Sequence, residues 1–511
     1  MTTLGDLVER SLSASTRAEF ESRVDDQARF LREEIGRGQL DNDGFAVGLE
    51  LEVYAVDDDG RLADLPESVF GTCNKELGVH NAELNTDPDP FTTDGIEAQA
   101  AAIREQWATA RDAASEVGRD LVLDSMWTIP PDEGGVEYLS ATHEEEGVTV
   151  PSNMRLDPRY CAIDRHCIEL AGGPITFDVP GATVEFPSIL FESLATSIQP
   201  HLQIPTAEQL PAYYNTALRT LGPVLALATN SPFLPPDFYD VDDPESLLTE
   251  THHELRIAAF EQSVNHTDPP KVRVPADLDD ATDVVAHVRE DPVMAPFLSE
   301  WLAEDGERVD ETPDCFADNI PEFDHKRSTY WRWLRCVVGG DPVSDVSDER
   351  SLRLEYRPVP TQPAITDVVG IQCLVGGLLR GLVDADHPIT DLPWEDARAS
   401  FYDVAANGLD ADIAWVTADG ERTSDREVVY DEVFAYARRG LDAQGIDQAT
   451  VTRYLDPIER RWDARTTPSR WKIERVRDRL ADGAELETAI TDMQREYVRL
   501  SREQDSFAAW L

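Results

Sequence analysis

The stretch Gly-Leu-Glu-Leu-Glu-Val-Tyr, residues 48–54, alternates between apolar and polar side chains. In an extended strand its two leucines and its valine lie on one face, and Glu50, Glu52 and Tyr54 lie on the other. Two carboxylates in front of an apolar face are oxygen ligands of the kind that Mg²⁺ prefers. In a strongly acidic chain such as this one, the two glutamates are also explained as ordinary hydrated surface. A functional site is indicated only if other strands show the same pattern.

Two later segments repeat the pattern. In the first, His201 and Gln203 share a face, and in the second, Arg353, Glu355 and Arg357 share a face. If the strands are neighbours in one sheet, clustered glutamate and histidine would bind Mg²⁺ or Mn²⁺. The guanidinium fork matches the oxygens of a phosphate or a carboxylate substrate. Taken singly, His201 is also explained as a structural histidine and Arg357 as the ion-pair partner of Glu355.

A further acidic pair, Glu76 and Glu83, is seven residues apart, which places the two side chains on opposite faces of a straight strand. They converge only if the chain bends between Gly78 and Asn81, or if the segment is helical. The sequence contains no GxxxxGK[ST] phosphate loop, no GxSxG elbow and no HExxH helix. We therefore expect any ATP to bind through metal ions and arginines.

The charge of the chain is extreme. Asp and Glu number 100 against 45 Lys and Arg, which gives a formal net charge of −55. The only lysines are Lys75, Lys271, Lys326 and Lys472. An acidic surface almost without lysine indicates adaptation to a halophilic cytoplasm, where salt screens self-repulsion. It argues against nucleic-acid binding, which needs a basic footprint.

The N-terminus lacks the features of a secretion signal, and the longest strongly apolar run, Val368 to Leu379, is shorter than the roughly 20 residues that span a bilayer. The six cysteines form no CxxC pair and are expected to be reduced thiols. We therefore predict a cytoplasmic protein without a membrane partner. Its oligomeric state is not readable from the chain.

The 511 residues contain no internal repeat and no low-complexity linker. We predict one large domain, with a catalytic core over 1–394 and a helical C-terminal part over 395–511. The loop-rich segment 132–190 and the acidic, proline-rich segment 234–325 are interpreted as insertions, the second one peripheral.

Six motifs, in this order, resemble those of the glutamate–cysteine ligase family, a group of ATP-dependent carboxylate–amine ligases. They are Gly-Leu-Glu-Leu-Glu at 48–52, Glu76 and Glu83 with Asn85-Thr86, the His201 strand, the Asn-Ser-Pro segment beginning at Asn230, Leu-Glu-Tyr-Arg-Pro at 354–358, and Ala-Ala-Asn-Gly-Leu-Asp at 405–410. The resemblance implies an α+β fold similar to glutamine synthetase. In such a fold a curved, mostly antiparallel sheet forms an active-site funnel flanked by helices.

The resemblance also implies a set of site residues. The metal ligands would be Glu50, Glu52, Glu76, Glu83, His201 and Glu355. Arg357, Glu52 and Glu83 would be catalytic, and ATP or substrate contacts would come from Arg332, Arg335, Gln203, Asn230 and Arg256. ATP would phosphorylate a substrate carboxylate, and an amine would then displace phosphate from the acyl phosphate.

This chemistry leaves the substrates open. The leading hypothesis joins glutamate, through its γ-carboxylate, to cysteine, and the same mechanism would serve another amino acid or amine. A metal-dependent phosphohydrolase would use the same Glu/His face without an amine. A catalytically silent relative would bind a nucleotide or a partner, but the joint presence of the metal ligands and Arg357 argues against it.

Overall fold

The computed structural model describes residues 3–303, 316–339 and 350–511. In these ranges the fold is built on one large sheet and three two-stranded hairpins. The strands are β1 Ala46–Val56, β2 Asn74–Lys75, β3 Asn81–Asn85, β4 Asp89–Pro90, β5 Asp120–Val122, β6 Thr142–Glu145, β7 Val148–Pro151, β8 Ile175–Val179, β9 Ala182–Phe186, β10 Ile198–Ile204, β11 Leu334–Val338, β12 Leu352–Tyr356, β13 Trp415–Val416 and β14 Arg422–Thr423.

The large sheet has the order β11-β12-β10-β1-β3-β2, with β4 and β5 also paired to β1, and every pairing is antiparallel. It curls into a half-barrel, as the predicted funnel requires. The apolar face of β1 is buried as its alternation predicts, because Leu49, Leu51 and Val53 are at most 1% exposed. The α+β prediction, with a curved antiparallel sheet flanked by helices, is confirmed.

Helices surround the sheet. They are α1 Leu4–Leu12, α2 Ala14–Gly36, α3 Thr93–Glu116, α4 Gly135–Ser140, α5 Pro158–Ala171, α6 Leu210–Ala228, α7 Pro244–Glu250, α8 Leu255–Val264, α9 Asp283–Glu290, α10 Ser299–Ala303, α11 Pro321–Ser328, α12 Ile365–Asp384, α13 Trp394–Asn407, α14 Arg426–Ala443, α15 Gln448–Asp463, α16 Pro468–Ala481 and α17 Leu486–Glu503. α3 and α12 pack against β1, and α12 also packs against α6, α14 and α15.

Helix α12 lies at the centre of the core. By length and composition it is the one helix in the described ranges that is apolar enough to cross a membrane, and 89% of its apolar window is buried inside the protein. Its glycines allow α14 to approach closely. A Cβ on Gly381 would lie 1.9 Å from the Tyr436 carbonyl oxygen, and one on Gly440 would lie 1.9 Å from that of Gly377. Any larger side chain at these positions would force the two helices apart.

The C-terminal helices divide between two apolar clusters. Side chains of α13, α14 and α15 belong to the same core as the sheet, whereas α16 and α17 form a smaller cluster around Trp471, Met493 and Tyr497. The C-terminal part is helical apart from the short β13–β14 hairpin. The predicted division at residue 394 stays a prediction.

The second of the two segments interpreted as insertions is not positioned as we expected. Segment 132–190 carries two hairpins, α4 and α5, and segment 234–325 carries α7 to α10 and most of α11. The second segment is not peripheral, because Arg256 and Phe260 of α8 line the central cavity. Its acidic, proline-rich composition suggested a surface excursion but carries no information on where α8 packs.

Most lysines and cysteines are buried. Lys271, Lys326 and Lys472 are at most 4% exposed, and only Lys75 lies at the surface. Five cysteines are buried and unpaired, whereas Cys315 lies outside the described residues.

Candidate active site

The strand register collects the polar side chains on one face of the sheet. His201 on β10 lies opposite Gly48 on β1 and opposite Glu355 on β12. Glu355 in turn lies opposite Arg335 on β11. Four strands that are distant in the chain therefore contribute to one row of facing residues, and Gly48 leaves space beside the imidazole.

Glu50, His201 and Glu355 form a first cluster, in which one ligand atom from each residue lies within 4.8 Å of the others. His201 Nε2 is 3.4 Å from a Glu50 oxygen and 3.8 Å from a Glu355 oxygen, and it has no hydrogen-bond partner. Burial, with Arg353 second, lowers the pKa of His201 to about 3, so the imidazole is neutral. A buried neutral imidazole nitrogen directed at two carboxylates is suited to a divalent cation.

Glu52, Glu76 and Glu83 form a second cluster with ligand atoms within 4.8 Å of one another. Glu52 and Glu83 face each other across β1 and β3. Glu76 reaches them because the chain turns between Gly78 and Asn81, where the Asn81 N–H donates to the Gly78 carbonyl at 3.1 Å. The sequence analysis required such a bend if Glu76 and Glu83 were to lie close together.

The second cluster also has the properties of a cation site. The Glu52 carboxylate accepts hydrogen bonds from Ser197 N at 2.7 Å, Ser197 Oγ at 3.0 Å and Gln199 Nε2 at 3.3 Å, so its position is fixed. Burial, together with Glu52, raises the pKa of Glu76 to about 8, and burial and Glu76 raise the pKa of Glu83 well above its ordinary value. Like charges at this distance repel, and a divalent cation would remove the repulsion.

Arginines lie beside the first cluster. Arg335 Nε is 2.9 Å from a Glu355 oxygen, and Arg357 forms an ion pair with Glu355 and donates to Gln199 Oε1 at 2.5 Å. Burial would raise the pKa of Glu355, but Arg335 and Arg357 outweigh it and hold that pKa well below its usual range. Glu355 is therefore ionised. Arg256 lies on another wall, where its Nη2 donates to the Arg357 carbonyl oxygen at 3.1 Å.

Glu50, the second cluster and the three arginines line a cavity of about 250 Å³ between the sheet, α5, α8 and the segment before β11. Its lining residues are Glu50, Glu52, Glu76, Leu77, Glu83, Arg159, Tyr160, Ile163, Ile189, Glu192, Ala195, Ser197, Gln199, Arg256, Phe260, Val264, Ser328, Trp331, Trp333, Arg335 and Arg357. Glu50 also lines a smaller neighbouring cavity, together with His201, Gln203 and Arg353.

Comparison with known proteins places the chain in a family. The sequence profile of glutamate–cysteine ligase family 2 matches residues 46–503, which is most of the chain. The protein belongs to this family. The membership supports an ATP-dependent ligase and confirms the resemblance seen in the motifs.

Two solved structures have a fold similar to that of this protein. A glutamate–cysteine ligase from Francisella tularensis in complex with AMP aligns with a TM-score of 0.50 and 15% identity, covering 91% of this chain and 90% of that one. A bifunctional glutathione synthetase from Pasteurella multocida aligns with a TM-score of 0.50 and 13% identity, covering 94% of this chain and 55% of that one. The comparison with curated protein sequences found no match to this chain.

Two of the site residues predicted from the sequence lie away from the active-site cavity. Arg332 is buried, where it forms an ion pair with Asp291 and donates to the Lys271 carbonyl oxygen. Asn230 is also buried, and its Nδ2 donates to the Thr361 carbonyl oxygen at 2.8 Å and to Tyr497 Oη at 2.9 Å. Both side chains have protein partners, so we assign neither of them to ATP or substrate.

Several lining residues were missed from the sequence. Ser197 and Gln199 continue the alternation of His201 on β10, so that signal was present in the pattern. Glu192 lies in a short 3₁₀ turn and Arg159 lies on α5, and neither has a periodic pattern that would point to the cavity. Burial, with Glu52 second, raises the pKa of Glu192 to about 8.

Proposed function

We propose that this protein is a Mg-ATP-dependent ligase that joins the γ-carboxylate of glutamate to the amine of cysteine. The observation that carries the proposal is the pair of carboxylate clusters on one sheet face, with Arg357 beside both of them. Family membership supports the ligase class, and the buried, unpaired His201 nitrogen supports a metal ion.

The six predicted ligands separate into two sets. Glu50, His201 and Glu355 would hold one cation, and Glu52, Glu76 and Glu83 would hold another. Bound Mg²⁺ or Mn²⁺ would supply charge neutralisation for the phosphates of ATP. Glu50 and Glu52 are two residues apart on β1, so their backbone positions lie roughly 6.5 Å apart along the strand.

The two cavities offer places for the two halves of the reaction. Since Glu50 lines both of them, a nucleotide in the smaller cavity, beside Gln203 and Arg353, would direct its phosphates toward the larger one. There Arg335 and Arg256 would hold the substrate carboxylates. Arg357 would stabilise the charge on the phosphoryl group during transfer.

The reaction then proceeds in two balanced steps. A carboxylate oxygen attacks the terminal phosphorus of ATP, the bond to the bridging oxygen breaks, and ADP leaves. The amine nitrogen next attacks the acyl carbon, the carbon–oxygen bond to phosphate breaks, and the proton lost by the amine passes to the released phosphate. Glu52 and Glu83 would act as catalytic carboxylates through the metal that they hold.

The test is phosphate release from Mg-ATP in multimolar KCl, with glutamate present, first with and without cysteine and then with other amines. Release that needs both amino acids and yields a dipeptide would support the proposal. Release that needs another acceptor would keep the mechanism and change the substrate. Release without any acceptor would favour a phosphohydrolase, and no release under any condition would overturn the proposal.

A further inference from the structure

A second cavity, of about 540 Å³, lies on the other side of one wall of the active-site cavity. Its lining includes Arg273, Arg332 and Arg398, and none of its lining residues belongs to either carboxylate cluster. The same lining carries three carboxylates, those of Glu261, Glu290 and Asp291.

The charge behind this cavity is not balanced among the residues that the structure describes. Lys271 and Arg332 both form ion pairs with the single carboxylate of Asp291, and the three side chains are at most 2% exposed. Two cations on one buried anion leave one positive charge in excess. Unpaired buried charge is costly, and an external anion beside Arg332 would offset it.

The other two carboxylates on the lining are hydrogen-bonded to other side chains or exposed. Glu261 Oε1 accepts hydrogen bonds from Trp333 Nε1 at 2.8 Å and Tyr402 Oη at 2.7 Å, and Glu290 is the last residue of α9 and is exposed. Arg398 is exposed, with its guanidinium 5.1 Å from the centre of the Tyr402 ring. Arg273 is half-buried, with its guanidinium bonded to the Pro270 carbonyl oxygen.

Successive side chains in the wall between the two cavities face opposite cavities. Before β11, Trp331 and Trp333 line the active-site cavity, whereas Tyr330 and Arg332 line the second one. Helix α8 behaves in the same way, because Phe260 faces the active-site cavity and Glu261 faces the other.

Ring contacts hold this wall together. The Phe260 ring lies edge-on to those of Trp331 and Trp333, at centroid distances of 6.0 Å and 5.8 Å. The guanidinium of Arg256 lies 5.4 Å from the centre of the Trp333 ring. Direct contacts therefore connect Glu261 to Trp333 and, through the Trp333 ring, to Arg256.

We propose that the second cavity binds a small anion that carries a phosphate or carboxylate group, and that its occupancy adjusts the active-site wall. Arg273 and Arg398 bind the anion at the open side, and Arg332 attracts it from within. The binding itself does not depend on the proposed ligase reaction, whereas the coupling is read through ATP turnover.

The first experiment measures binding of inorganic phosphate, and separately of succinate, by calorimetry on the full chain at fixed KCl concentration without ATP. The double variant Arg273→Gln/Arg398→Gln is compared with wild type. Arg29→Gln is the matched control, because this exposed arginine lies on α2, outside the second cavity. Arg357→Ala reports anion binding in the active site instead.

We expect the affinity for at least one probe to fall about tenfold or more in the double variant and to stay unchanged in Arg29→Gln and Arg357→Ala. Binding of one probe alone would identify the favoured group. Equal affinity in wild type and the double variant, no binding of either probe, or loss only in Arg357→Ala would each overturn the proposal.

The second experiment measures the KM for ATP with and without the probe that binds. A shift of about threefold or more in wild type that is absent from the double variant supports the coupling. An identical response in both proteins would overturn it. If the chain turns over no ATP, the proposed ligase function fails, while the calorimetric result still decides whether the cavity binds the anion.

Discussion

Two of the regions in which the protein buries charge differ in how that charge is balanced. Beneath the C-terminal helices, Lys472 Nζ lies 2.5 Å from an Asp124 oxygen, and the other Asp124 oxygen accepts from Gln494 Nε2 at 2.6 Å. Arg461 forms an ion pair with Asp367 at 2.8 Å. In the active-site cavity, Glu52, Glu76 and Glu83 crowd together without a basic residue among them.

We expect this difference to separate charge that stabilises the fold from charge that serves function. A buried pair that cancels within the chain holds its elements together, and its loss is a loss of stability. A cluster of carboxylates opposes folding when it is ionised, and a bound cation would compensate for its charge. The predictions below test this distinction, beginning with the largest expected effect.

The carboxylate clusters and their arginine should be indispensable for activity. We expect Glu52→Gln and Arg357→Ala each to lower ATP turnover by about 10³-fold or more, because each removes charge stabilisation of the transferred phosphoryl group. Phosphate release in high salt measures the effect, and circular dichroism checks that the fold is intact. Glu185→Gln, an exposed change on β9, is the control. Full activity in both variants would show that the assigned site is wrong.

Breaking the balanced pair should affect stability. We expect Lys472→Met to lower the free energy of unfolding by about 3–5 kcal/mol, because it leaves Asp124 buried without its cation. Denaturant unfolding measures the loss, and Lys75→Met, at the surface, is the control. The double variant Lys472→Met/Asp124→Asn should recover part of the loss. A cost in Glu76→Gln as large as that in Lys472→Met would remove the distinction between the two regions.

Mg²⁺ should stabilise the protein through the cleft. At about 100 times its Kd, a ligand that binds only the folded state adds about 2.7 kcal/mol to the free energy of unfolding. We expect a corresponding rise in melting temperature at constant ionic strength, and a smaller rise in Glu83→Gln. Lys472→Met should melt lower but gain as much from Mg²⁺ as wild type does. An equal gain in Glu83→Gln and wild type would place the cation elsewhere.

Acid should lower the free energy of unfolding through His253, which contacts α16, and by less than the loss of Lys472 does. His253 Nδ1 lies 2.8 Å from Ser469 Oγ at the start of α16, and burial, with Arg470 second, lowers the pKa of His253 to about 4 from 6.5. Between these values the unfolded chain binds the proton first, so stability is full above pH 6.5 and falls as the pH drops toward 4. At about pH 5.5 the loss is about 1.4 kcal/mol.

Unfolding titrations of wild type and His253→Gln across this pH range would measure the effect. The variant should show a shallower pH dependence, since glutamine does not titrate. Parallel curves would show that His253 does not contribute.

The sequence could predict the parts of the site that alternate along single strands. Glu50, Glu52, His201 and Glu355 were found this way, because a period of two fixes which side chains share a face. Pairing register is a long-range property, so the division into two clusters came only from the structure. Glu192 was missed because a 3₁₀ turn leaves no comparable pattern.

Arg332 shows the limit of motif reasoning. Arg332 lies two residues before the start of β11 at Leu334, so the alternation of side chains along that strand does not extend to it. Local sequence does not show that its side chain turns to Asp291, away from the candidate active-site cavity. The same applies to Asn230, whose partners Thr361 and Tyr497 are distant in the chain.

The burial of Lys271, Lys326 and Lys472 has a practical consequence. In the folded protein Lys75 is the one lysine side chain at the surface, and its ammonium lies 2.9 Å from Glu67 Oε2. An amine-reactive reagent should therefore modify one lysine side chain in the native state and four after unfolding. Mass spectrometry of the labelled protein would then count lysines as a direct reporter of folding, without any engineered probe.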